Sequence, residues 1–130
     1  RQHRMIVIGA GNMGSAVAQY PSFAREGFEV IAMFDVDPAK VGTRLGNIPI
    51  FPMEDLETYL GDHHVDVAVL SLPVGAAQKT LNRLAECGIR AVWNFAPTDL
   101  HHPEEMIVVN VHLSDSLQIL SYKMAHMEDA

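Results

Sequence analysis

The chain has 130 residues, 48% hydrophobic and 19% charged, a balance that suits one globular domain and leaves no room for a second, catalytic one. A formal net charge of −7 disfavours a phosphate backbone as ligand, and no apolar run approaches the roughly 18 residues of a membrane span. The single cysteine, Cys87, excludes an internal disulfide framework and lacks a Cys-x-x-Cys partner.

The opening Arg1-Gln2-His3-Arg4 runs straight into an apolar burst with no signal region, so a cytoplasmic location without membrane contact is expected. Strands are predicted at 5–8, 30–34, 49–51, 67–70, 91–93 and 106–109, most of them continuous apolar runs of the kind buried on both faces. Between them the pattern predicts helices over about 11–26, 38–45, 53–60 and 75–87, the second opened by the Asp37-Pro38 pair. Gly27, Gly46, Gly61 and Gly88 each follow a helical stretch, where a glycine can close the last turn. A final helix over about 113–127 carries Leu113, Leu117, Leu120 and Met124 on one face. Strands alternating with helices predict an α/β fold, a doubly wound and mostly parallel sheet of the Rossmann type. The chain reads as one domain, with a core over about 4–112 and the last helix beyond it.

Gly9-Ala10-Gly11-Asn12-Met13-Gly14 follows the first strand directly and opens the first helix, which is the context a dinucleotide fingerprint requires. Gly9 permits the tight turn, Gly11 lets a pyrophosphate approach the backbone, and Gly14 lets helix and strand pack closely. The N–H groups of the helix start, at Asn12 and Met13, are free for phosphate. Asp35 ends the second strand twenty-one positions after Gly14, where an acid accepts hydrogen bonds from the adenosine ribose and repels a 2′-phosphate. NAD(H) is therefore favoured over NADP(H) as cofactor. Asp37 reads as a helix cap. Leu72 and Pro73 after the fourth strand, and Asn94, Phe95, Ala96 and Pro97 after the fifth, lie at the carboxyl ends of strands, where open α/β sheets place ligands. They are expected to flank the nicotinamide half.

No catalytic constellation emerges. His63-His64 and His101-His102 are neighbours in polar loops, and no His, Cys and carboxylate spacing fits zinc. His112, in Val111-His112-Leu113, is the one histidine in an apolar setting. An acid–base residue facing a nicotinamide is missing, so an enzyme is not expected.

The stretches Val7 to Ala16, Tyr20-Pro21-Ser22-Phe23, Phe34-Asp35-Val36-Asp37-Pro38 and Asn94-Phe95-Ala96-Pro97, with the Leu120-Ser121-Tyr122 helix, together resemble the redox-sensing transcriptional repressor Rex. The match is to that family's C-terminal, NAD(H)-binding domain. The resemblance implies a sensor of the NADH/NAD⁺ ratio that prefers NADH, forms a homodimer by exchanging its C-terminal helix, and contacts DNA only through a winged-helix domain absent from this sequence. Whether the chain is a cut piece or a stand-alone relative stays open. The resemblance also puts Tyr20 near the nicotinamide as part of the redox switch, and His112 where the family typically has an aspartate that pairs with this tyrosine. Two alternatives remain: the nucleotide-binding half of an oxidoreductase, and a coenzyme A-binding domain.

Overall fold

The computed structural model describes residues 2–111 and 113–128, with the side chains of 113–119 and 128 outside that description. Seven strands form one sheet in the order β3-β4-β2-β1-β5-β6-β7. They are β1 His3–Ile8, β2 Phe28–Asp35, β3 Arg44–Leu45, β4 Ile48–Pro52, β5 Val67–Leu70, β6 Ala91–Asn94 and β7 Ile107–Asn110. All neighbours pair parallel except β3 and β4, so the sheet is doubly wound about β1, as the strand–helix alternation predicts.

The period of two along β1 divides its side chains between two cores. Ile6 and Ile8 join Phe34, Leu70 and Val92 on the face covered by α3 (Leu56–Asp62), α4 (Val74–Glu86) and the segment carrying Leu100 and Met106. Met5 and Val7 join Met33 and Val69 on the other face, under α1 (Asn12–Ala18) and α2 (Ser22–Arg25). With both faces covered, Ile6, Val7 and Ile8 are all inaccessible to solvent, which explains the unbroken apolar run. In α4, Ala77, Thr80, Leu81 and Leu84 follow at spacings of three, one and three, a single buried stripe.

Three elements differ from the sequence-based expectation. The helix read over 11–26 comes as two, because Pro21 has no N–H to continue the first. The helix read over 38–45 does not form. Asp37 accepts N–H bonds from Lys40 and Val41 to close one turn, and Gly42, at φ +84°, then takes the chain into the β3–β4 hairpin. Before α3, Met53–Asp55 forms a 3-10 turn. Of the four glycines expected to close helices, Gly27 and Gly88 follow α2 and α4, whereas Gly46 sits in the hairpin turn and Gly61 lies inside α3. The last helix, α5 (Leu113–Glu128), follows β7 as read. Leu120 and Met124 of its apolar stripe are more than half exposed, and the side chains of Leu113 and Leu117 fall outside the described residues.

Candidate functional site

The carboxyl ends of β1, β2, β5 and β6 meet where the strand order reverses across β1, the crevice that open α/β sheets use for ligands. Backbone bonds stitch these ends together: Gly9 N–H donates to the Phe34 carbonyl at 2.7 Å, Ser71 to Ile8 at 2.8 Å, and Phe95 to Leu70 at 2.9 Å. The glycine loop is fixed by this frame.

Its three glycines do different work. A Cβ on Gly9 would run into the Ser71 carbonyl, and one on Gly14 into the Gly9 carbonyl, so both positions are set by packing of the loop on its neighbours. A Cβ on Gly11 would meet nothing within 4 Å. The space over Gly11 is open, and no side chain caps α1, whose first N–H groups at Asn12 and Met13 adjoin that space.

Asp35 closes the β2 side. Its Oδ2 accepts the Ala10 N–H at 2.6 Å, and its Oδ1 accepts Val36 N–H at 2.7 Å and Asp37 N–H at 2.9 Å. Burial pushes this carboxyl upward, but the backbone bonds from Asp37, Ala10 and Val36 and the nearby Lys40 ammonium outweigh it and leave the carboxyl below the usual aspartate range. Asp35 is thus held ionised and oriented at the loop's edge. Beside it lies a cleft of about 300 Å³ walled by Asp35, Val36, Pro38, Val41, Pro52, Met53 and Glu54. Asp37, read as a helix cap, caps a turn instead, its Oδ1 accepting the Ala39 N–H at 2.9 Å.

On the β5 and β6 side, Leu72 is half-buried and Pro73 exposed at the start of α4. Asn94 departs from the expectation that it faces a ligand. It is fully buried, its amide donating to the carbonyls of Ala96 and Thr98 and to Asn110 Oδ1 at 3.0–3.2 Å, while its oxygen accepts the Ala96 N–H. Asn94 therefore shapes the following loop from beneath. Ala96 is buried with it, and Phe95 and Pro97 stay accessible.

Tyr20 lies on the stretch between α1 and α2. It is 54% exposed and packs edge-on against Phe23, 5.1 Å between ring centroids. Phe23 meets Trp93, and Trp93 meets Phe95, so an aromatic run links Tyr20 to the β6 loop. Tyr20, Phe23, Trp93, Ile107 and Val109 line an apolar cleft of about 610 Å³ on the sheet face that α1 and α2 leave open. His112 lies outside the described residues. Sequence reasoning missed Lys40, Trp93 and the Pro52–Glu54 wall. The aromatic run gave no local signal, because the contact that joins its two halves, Phe23 with Trp93, links residues seventy apart.

Residues 1–98 match the family described as CoA binding domain. The chain belongs to that family. The resemblance to Rex read from the sequence is borne out. The chain is 40% identical over 128 residues to the redox-sensing transcriptional repressor Rex of Caldanaerobacter subterraneus subsp. tengcongensis, covering 98% of this chain and 57% of that protein. Among solved structures it is similar to the Rex-family repressor RSP in complex with β-NADH, at 39% identity and a TM-score of 0.90, covering 98% of this chain and 61% of that one. RSP in complex with β-NAD⁺ and operator DNA gives 39% identity, a TM-score of 0.89, and coverage of 98% and 58%. The chain thus spans less than two thirds of the length of these relatives. Among the described residues, no helix is long and apolar enough to cross a membrane, and no group of three or more His, Cys, Asp or Glu side chains is placed to hold a metal.

Proposed function

We propose that this chain is the NAD(H)-binding sensor domain of a Rex-like repressor, a non-enzymatic cytoplasmic module that answers to the NADH/NAD⁺ ratio. The observation that carries this is Asp35, held below the usual aspartate range by the Asp37, Ala10 and Val36 N–H groups and nearby Lys40, and tied through Ala10 to the edge of an open glycine loop. The residues present fit the nucleotide: open space over Gly11 for the pyrophosphate, a carboxylate for the adenosine ribose hydroxyls, and a cleft beside Asp35 for the base. When bound, the nucleotide supplies a nicotinamide ring that is cationic only in its oxidised form. Phe95, Pro97, Leu72 and Pro73 would flank that ring with mostly apolar surface, which disfavours the cation and favours NADH. Tyr20 and His112 are the candidate switch residues. Operator DNA would be contacted by a winged-helix domain outside this sequence; the Rex-family relative RSP forms a complex with operator DNA.

Assembly belongs to the same proposal. Residues of about 4–112 form the nucleotide-binding core, and the helix over about 113–127 joins two copies. Its exposed Leu120, Met124 and Met127 recur at spacings of four and three, and the open sheet face offers an apolar cleft of matching character.

Coenzyme A is the second reading, favoured by the name of the matching family. Its adenosine carries a 3′-phosphate, which an ionised Asp35 at the ribose would repel. Among NADH, NAD⁺, NADPH and coenzyme A, NADH is expected to raise the melting temperature most. A largest shift with coenzyme A would establish the second reading instead.

Asp35→Ala is expected to weaken NADH binding by about 1–3 kcal/mol through loss of charge-assisted hydrogen bonds, and to relax discrimination against NADPH. Fluorescence titration of both nucleotides measures this. Unchanged NADH affinity would put the ribose away from Asp35.

A further inference from the structure

The fingerprint accounts for Asp35 but not for the cation beside it. Lys40 donates its ammonium to the Ala10 carbonyl at 2.5 Å, while the N–H of the same residue donates to Asp35 Oδ2 at 2.6 Å. A positive and a negative side chain are therefore anchored to one residue of the glycine loop, at the end where the adenosine ribose would lie. The ammonium is attached to the loop rather than to the carboxylate, so its charge is not consumed in a closed ion pair.

Its position is also fixed from the backbone. The Lys40 N–H donates to the Asp37 carbonyl at 3.0 Å, and the Lys40 carbonyl accepts the Thr43 hydroxyl at 2.6 Å. Lys40 is half-buried, in contrast to the exposed Val36, Pro38 and Ala39 of the same turn. A lysine restrained at both ends and aimed inward gives up much side-chain freedom, and a lysine that served only for solubility would not. The remaining charged groups of this turn are Asp35 and Asp37, and Asp37 is occupied by the Ala39 N–H.

We infer that Lys40 is a second specificity-determining residue of the nucleotide site: it offsets the charge of Asp35, so that rejection of a ribose phosphate is set by the balance of the two rather than by the carboxylate alone. It rests on the nucleotide reading above. Two consequences follow from charge alone. With Asp35 present, the lysine softens repulsion of a 2′-phosphate. With Asp35 neutralised, the lysine becomes an anchor for that phosphate, the role that a nearby basic residue plays in NADP sites.

A double-mutant cycle tests this, with NADH and NADPH titrated into the unchanged chain, Lys40→Gln, Asp35→Ser and the double variant. Glutamine keeps a donor for the Ala10 carbonyl and removes the charge, so it separates electrostatics from a plain loop tie. Lys40→Gln is expected to widen the preference for NADH several-fold, mainly by weakening NADPH. Asp35→Ser is expected to weaken NADH and strengthen NADPH, and adding Lys40→Gln should cost at least about tenfold of the NADPH affinity with a smaller effect on NADH. Lys40→Arg in the Asp35→Ser background should retain NADPH binding, and that binding should fall as salt is raised. An NADPH to NADH ratio that is the same in Asp35→Ser and in the double variant would overturn the inference and leave Lys40 as a loop tie. NADH binding unaffected by Asp35→Ser would instead show that the ribose does not lie at Asp35, and the inference would fall with that reading.

Discussion

Valine at Gly11 is expected to abolish nucleotide binding in a chain that still folds, whereas alanine at Gly9 or Gly14 is expected to damage the fold itself. Gly11 has φ −74°, a conformation open to any residue, and an added Cβ there meets only open space. The branched side chain would instead fill the volume over the loop that the pyrophosphate needs. Affinity should fall at least about a hundredfold, near 3 kcal/mol, with little change in melting temperature. Gly9 is different in both respects. Its φ is +103°, and its Cβ would collide with the Ser71 carbonyl, a backbone atom that the Ser71 to Ile8 hydrogen bond holds in place. Backbone strain of about 1–3 kcal/mol adds to overpacking of about 1–3 kcal/mol, which is a large share of a domain's usual 5–15 kcal/mol. Gly14→Ala, against the Gly9 carbonyl, should lose a similar overpacking amount. Circular-dichroism melts of the three variants, followed by NADH titration of those that fold, distinguish the two effects. Normal binding by Gly11→Val would remove the pyrophosphate from the glycine loop.

The second large effect is on assembly. Deleting the residues after Leu113 is expected to convert a dimer into a monomer with exposed apolar surface, or into an insoluble product, with the glycine loop intact. In the single chain Leu120, Met124 and Met127 are 55%, 54% and 78% exposed, and on the sheet Ile107 and Val109 are 65% and 54% exposed. These are large apolar side chains that one copy does not cover. Burying each contributes roughly 1.5–3 kcal/mol, before the entropy of association reduces the total. If both copies contribute across a two-fold axis, the interface would be isologous and the sum would suffice for a dimer at micromolar concentration. Light scattering of the full and truncated chains measures this. A 130-residue chain that stays monomeric at tens of micromolar would contradict the proposed exchanged helix.

How far the sequence could be read follows from the range of each interaction. Gly9, Gly11, Gly14 and Asp35 could be singled out because the pattern depends on spacing along one strand–turn–helix–strand unit, and pairing of β1 with β2 brings Asp35 to the glycine loop. The strands were legible because burial on both faces writes itself as continuous apolar runs, as in β1 and β5. The helix read over 38–45 failed because Asp37-Pro38 opens a turn as readily as a helix, and only Gly42 at positive φ decides which. Asn94 looked like a ligand contact because it ends a strand. Its buried amide is instead consumed by Ala96, Thr98 and Asn110, partners that sequence position alone does not single out. Lys40 was hidden by the same misread helix, since its reach to Ala10 crosses thirty residues and exists only once the turn replaces that helix.

The central claim, that this domain senses the redox state of NAD(H), is tested most directly by titrating NADH and NAD⁺ separately into the full 130-residue chain by calorimetry. The apolar surroundings at Phe95 and Pro97 should make NADH bind several-fold more tightly, with one nucleotide per chain. Equal affinities would contradict the sensor, and an absence of binding by either nucleotide would contradict the site.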